Sequence, residues 1–208
     1  MKNIIYILLI FIGLSSSSQD FKPVKDLKVL EQKLAKVSKL THSISSQFKQ
    51  EKHLEYLNET IISEGKFWFK KENQLRWEYQ TPFEYIIVLN NGKFIIKDED
   101  KISEYDVNAN KAFKEVNDLI ISSVRGDLLK EDKFNITAFE NKKTYKVKLS
   151  PKDAEMAKVL NEIELYFNTS NLDIYKVKMI ENAQDYTIIN FVNRKLNENI
   201  PASTFTLN

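Results

Sequence analysis

Along most of the chain, apolar and polar positions alternate one for one, the period of a strand buried on a single face. The alternation starts after Thr41, where Ile44, Ser46 and Phe48 interleave with Ser45, Gln47 and Lys49. It is densest from Ser63 to Tyr79, a stretch that holds both tryptophans and reads as two strands with a tight polar connection. Phe67 and Phe69 fall on one face and Trp68 on the other. Leu75, Trp77 and Tyr79 then share a face opposite Gln74, Arg76 and Glu78. Phe83 to Asn90 is apolar on both sides, with Phe83, Tyr85, Ile87 and Leu89 on one and Ile86 and Val88 on the other. Asn91-Gly92 is a hairpin signal, because both central positions of that turn favour positive φ. Lys93 to Lys97 returns, and Ile102 to Val107 follows another turn.

The second half repeats the pattern. Phe134 to Phe139 and Thr144 to Leu149 form a hairpin around Asn141–Lys143. Leu160 to Phe167, Ile174 to Ile180 and Tyr186 to Asn193 follow, separated by Asn-rich turns. Tyr175, Val177 and Met179 share a face, and Phe205 and Leu207 are in phase for a last strand over Ile200 to Leu207. This makes about eleven strands, and a twisted antiparallel sheet of that size curls into a barrel or an unclosed one.

Two stretches break the period. Phe21 to Leu40 carries Leu27, Leu30, Leu34 and Val37 at helical spacing, with Pro23 near its start. Asn108 to Arg125 carries a second helical stripe, with Asn108 as N-cap and Gly126 as stop. A helix inserted in a meander either fills the concave side of the sheet or lies over it as a movable lid, with Phe113, Val116, Leu119 and Ile120 facing inward. The aromatic strands carry the same choice, between a packed hairpin core and the wall of a cavity that holds something apolar. In the second reading the concave lining is Phe67, Phe69, Leu75, Trp77, Ile87, Leu89, Phe94 and Ile96. The expected fold is therefore mainly β with α: an unclosed antiparallel β-barrel with helices covering its concave face.

The N-terminus changes the picture of where this fold works. Lys2 precedes an apolar run from Ile4 to Leu14, followed by Ser16-Ser17-Ser18, the layout of a cleaved secretory signal over residues 1–18. Residues 19–208 then form a single domain outside the cytoplasm. The chain has no cysteine, so neither a disulfide nor a lipid-bearing thiol is expected. Without Lys2, 30 Lys and Arg face 29 Asp and Glu, a net charge of +1 spread along the chain, which offers no footprint for nucleic acid.

Catalytic patterns are missing. His42 and His53 have no neighbouring metal-ligand spacing, and the sequence has no G-x-S-x-G elbow and no phosphate-binding glycine loop. Ser45 and His42 sit on one strand at odd spacing and face opposite ways, which makes a poor hydrolase pair. We expect no enzyme, no metal and no cofactor.

The stretch G-K-F-W-F-K-K-E-N-Q-L-R-W-E-Y, Gly65 to Tyr79, resembles the aromatic strand, basic pair, Asn and Trp of the LolA family of periplasmic outer-membrane lipoprotein carriers. Ser46-Gln47-Phe48-Lys49-Gln50 resembles that family's S-F-x-Q strand, and Pro82 to Asp98 its proline-to-Asn-Gly hairpin. The resemblance runs from about Val24 to Leu207, and the order of the pieces carries it. It implies a monomeric carrier that shields the acyl chains of lipoproteins and moves them from the inner to the outer membrane. Its implied partners are the acylated lipoproteins, an inner-membrane ABC-type releasing complex and an outer-membrane acceptor. It also implies a lid latch at Lys71, where the family places an Arg, with Arg76 as the substitute; Glu72 stands where the family usually has Pro. The alternative is a related module that carries another lipid or glycolipid for a dedicated export or biosynthetic pathway.

Overall fold

The computed structural model describes residues 20–71, 73–106 and 133–207. The expected leader and the second helix, with Phe113, Val116, Leu119 and Ile120, lie outside these residues. Helix α1 (Leu27–Leu40) precedes most of the strands. In chain order the strands are β1 (Lys22–Pro23), β2 (Ser43–Leu54), β3 (Glu59–Lys70), β4 (Gln74–Thr81), β5 (Tyr85–Asn90), β6 (Lys93–Asp98), β7 (Lys101–Asp106), β8 (Phe134–Glu140), β9 (Thr144–Pro151), β10 (Glu162–Asn168), β11 (Ile174–Ile180) and β12 (Tyr186–Leu196). They form one twelve-stranded sheet in the order β1-β8-β9-β10-β11-β12-β2-β3-β4-β5-β6-β7. Every pairing is antiparallel. The sheet ends on β1 and β7 and does not close into a barrel. Its centre is the pairing of β2 with β12, which joins the two ends of the chain.

Several features differ from the sequence reading. The first helix begins at Leu27, not Phe21, because Lys22 and Pro23 pair with β8 and Asp26 caps the helix through Lys28 N and Val29 N. The tail is not a strand. Ala202–Phe205 is a 3₁₀ turn lying across the sheet, and it puts Phe205 out of reach of water. Phe83 precedes β5 and is 76% exposed, so the run it was assigned to starts two residues later.

Period-two alternation gives the sheet an inner face, on which α1 packs, and an outer face. Leu30 and Leu34 of α1 pack on the inner face over Val147, Leu149, Ile163, Leu165 and Phe167, all buried. Val177 and Met179 of β11 join this cluster to a second one on β2–β6. Tyr175 is not on their face. It is the extra residue of a bulge, since Phe167 pairs with Ile174 and Tyr166 with Lys176. Its hydroxyl instead meets Thr144 Oγ1 at 3.1 Å.

On the outer face the two halves carry different cover. Over β9 and β10, Lys148 Nζ lies 2.8 Å from Glu162 Oε1 and 3.2 Å from Glu164 Oε1. Tyr166 donates to Glu164 Oε2 at 2.6 Å. Burial works against ionisation of Glu164, but these donors outweigh it and hold the carboxyl below its usual range. Over β4–β6 the cover is the C-terminal segment. Phe205 and Ile200 pack with Val88, flanked by Trp68, Ile86, Ile95 and Leu207.

Candidate functional site: an aromatic inner face

The second inner cluster forms because three short connections, 71–73, 82–84 and 91–92, set the register of three hairpins. Leu75 opposes Phe69 and Leu89, and Leu89 opposes Phe94. Trp77 opposes Phe67 and Ile87, and Ile87 opposes Ile96. The eight residues expected to line the concave face thus form two parallel rows across β3–β6, each four residues wide. Phe67, Phe69, Leu75, Leu89 and Phe94 are buried; Trp77, Ile87 and Ile96 are half-buried.

The cluster extends beyond those eight. Ile44 and Phe48 on β2, Ile189 and Phe191 on β12 and Tyr79 on β4 belong to it. Phe48 is its centre: its ring centroid lies 4.5 Å from Trp77 and 5.2 Å, edge-on, from Tyr79. Trp77 also meets Phe67 at 5.3 Å and Phe191 at 6.1 Å. The sequence put Ile44 and Phe48 in phase but did not show that β2 lies beside β3. That pairing sets Phe48 opposite Gly65.

Gly65 is required there. A Cβ at this position would stand 1.9 Å from Glu78 O and 2.7 Å from Phe48 Cζ. The missing side chain lets the phenyl ring lie on the strand and lets β4 bulge beside it, between the pairs Glu64–Thr81 and Gly65–Tyr79.

Few polar groups enter the cluster. Tyr79 donates to Gln50 Oε1 at 3.1 Å, and burial raises its pKa. The Trp77 indole Nε1 is buried beside the Tyr79 hydroxyl, whose pKa it helps to lower, but makes no well-formed hydrogen bond among the described residues. A buried donor left in this way costs about 1–3 kcal/mol unless something supplies an acceptor.

The two latch residues do not sit together. Lys71 is at the rim, where its Nζ donates to Lys39 O at 2.6 Å and its backbone N to His42 O at 2.8 Å. It fastens the β3–β4 connection to the C-terminal end of α1, where a cation suits the helix dipole. Arg76 is on the outer face, because it alternates with Trp77. It pairs with Glu78 Oε2 at 2.7 Å and reaches Thr204 O at 3.4 Å and Thr206 O at 3.5 Å. Its guanidinium lies 6.0 Å from the Trp68 ring centroid. It clamps the C-terminal segment and cannot serve a cover on the inner face. Ser45, also on the outer face, donates to Glu198 Oε2 at 3.2 Å and not to His42.

The family described as outer membrane lipoprotein carrier protein LolA matches residues 39–208. The chain belongs to this family. Among curated protein sequences nothing matches it. The fold resembles that of an uncharacterised conserved protein from Thermus thermophilus, with a TM-score of 0.53 and 9% identity over 85% of this chain and 92% of that one. A LolA-superfamily protein from Nitrosomonas europaea has a TM-score of 0.45 and 9% identity over 86% and 97% of the two chains. The Mycobacterium tuberculosis lipoprotein LppX has 0.47 and 8% over 85% and 99%. At such identities the likeness is one of fold.

Proposed function

We propose that this LolA-family chain is a periplasmic carrier, not an enzyme, that shields the acyl chains of lipoproteins and delivers them from the inner to the outer membrane. The observation that carries the reading is the pair of rows on β3–β6. Eight large apolar side chains are held in register on one face, and three of them keep contact with water although they sit among buried neighbours. A surface of this composition is suited to hydrocarbon.

Magnitudes constrain the mechanism. At about 0.8 kcal/mol per buried CH₂, three long acyl chains amount to roughly 30 kcal/mol, whereas non-covalent affinities saturate near 20 kcal/mol. A carrier must also release its load, so partial shielding suits the task better than full enclosure. Half-buried Trp77, Ile87 and Ile96 are placed for that. The lid formed by Phe113, Val116, Leu119 and Ile120 would compete with the lipid for the same rows, and Lys71 would fix the rim against which it closes. An ABC-type releasing complex would load the protein, and an outer-membrane acceptor with a better site would unload it.

The test is native mass spectrometry of protein taken from the periplasm, with and without Trp77→Ala. Triacylated lipoprotein bound to the wild type and lost from the variant supports the reading. A glycolipid mass would transfer the protein to a dedicated lipid pathway. Wild-type protein that carries nothing and takes up no fatty probe would end the proposal.

A further inference from the structure

Among the described residues the inner face carries one guanidinium, and its hydrogen bonds are incomplete. Arg194 follows Asn193, whose φ of 53° marks a bulge in β12. Val192 pairs with Gln47 and Lys195 with Ser45, so two residues of β12 stand opposite Ser46 alone. Lys195 faces outward, where it pairs with Glu198 at 3.1 Å. The next inward positions on either side, Phe191 and Leu196, both belong to the aromatic cluster. The bulge therefore turns a cation inward at the end of the transverse row Trp77, Phe67, Ser46.

A guanidinium has five N–H donors. Arg194 makes one direct hydrogen bond, from Nη1 to Ile174 O at 3.0 Å. Its carboxylate neighbour, Asp173 Oδ1, is 3.8 Å from Nη1, too far for a hydrogen bond. Arg194 Nε and Asp173 Oδ1 are both buried and both without a hydrogen-bond partner among the described residues. The side chains of Arg194 and Asp173 are 20% and 18% exposed. Burial lowers the pKa of Arg194, and Asp173 only partly opposes this. A charge removed from water and poorly matched by its neighbour is costly to keep, and an ion pair optimised for stability would close that gap. A half-buried cation whose Nε has no partner among the described residues, at the end of apolar rows, is instead suited to a ligand with a polar end and a hydrocarbon body.

We propose that Arg194 is the polar recognition residue of the inner face, and that it receives the acyl oxygen of an acylated ligand whose hydrocarbon lies along the Phe67 and Trp77 rows. The shared chemistry is an sp² oxygen on a long chain, either the carboxylate of a fatty acid or the carbonyl of an ester or amide. The Trp77 indole, in the same row and poorly bonded to the Tyr79 hydroxyl, would turn to a second carbonyl. This deepens the carrier reading and rests on it only in taking the ligand to be acylated.

The test uses the full chain and a neutral fluorescent probe, N-phenyl-1-naphthylamine, displaced in turn by oleic acid, methyl oleate and 1-octadecene. For the wild type, oleic acid displaces the probe roughly tenfold to a hundredfold better than octadecene, with the ester in between. Arg194→Met leaves probe and octadecene binding unchanged and brings the acid and the ester down towards octadecene. Asp173→Asn removes the competing carboxylate and raises the preference for the acid severalfold, and it serves if Arg194→Met does not fold. If either variant folds and keeps the wild-type acid-to-octadecene ratio, Arg194 has no part in recognition, even though the protein remains a lipid binder. If the wild type binds none of the probes, the carrier reading fails, and this inference with it.

Discussion

The two halves of the inner face are built from the same sheet, yet they are finished differently. Over β8–β11 the strands present aliphatic side chains, and α1 covers them with Leu30 and Leu34, so that Val147 and Leu149 have no exposed surface. Over β3–β6 the strands present aromatics, and the rows include side chains that still touch water. The first half is a core in the ordinary sense, where close packing is the source of stability. The second has the area of a core without its completeness. A poorly bonded indole N–H and, at its margin, an under-bonded guanidinium belong to this second half. One sheet thus finishes its two halves differently, while alternation keeps the inner and outer faces in phase except at the bulges in β4, β11 and β12.

The sharpest way to break this contrast is at Gly65, where the aromatic half touches the backbone. Gly65→Val drives a side chain into Glu78 O and Phe48. It should cost about 4–5 kcal/mol, enough to leave little folded protein in urea titrations. Survival of this variant with near-native stability would mean that the close approach of Phe48 is not needed. A smaller effect separates the halves directly. Leu165→Ala, in the helix-covered core, should lose about 3 kcal/mol and leave probe binding intact. Ile87→Ala, in the half-buried row, should lose less than half of that yet weaken binding of a fatty probe. The reverse ranking would make the aromatic half the structural core.

The smallest expected effect concerns pH and the outer face of the core half. The Glu164 carboxyl is held below its ordinary value of 4.5 in the folded protein. Its stabilisation is therefore complete above that value and lost as pH falls through the lower, folded one. In urea titrations wild type and Glu164→Gln should differ by a fraction of a kcal/mol at neutral pH and converge below pH about 4.5. A constant difference across that range would remove Glu164 from the acid limb.

Much of this was readable from local chemistry. Alternation alone placed Phe67 and Phe69 opposite Trp68, and the Asn91-Gly92 turn placed Leu89 beside Phe94. Those local rules were enough to assemble the eight row residues, since β3 to β6 are successive hairpins. What failed to show needed partners distant in sequence. Lys22 and Pro23 looked helical until β8 offered them a pairing. Phe205 and Leu207 are in phase for a strand, but no free edge lies where the tail crosses the outer face. Arg194 was hidden by a bulge, which reverses the inward and outward phase that a pattern reading assumes. Arg76 lies on the outer face by simple alternation: a residue beside Trp77 in sequence must face away from it.

The outer face is finished by the tail, and Asn90 and Phe205, which are hydrogen-bonded there, lie 115 positions apart in sequence. The central pairing of β2 with β12 spans still more, with Ser46 bonded to Val192 across 146 positions. A chain leaving a ribosome has neither partner until its last strand emerges, so the sheet can close its centre only after nearly all of the chain has been made, and the topology itself works as a timer.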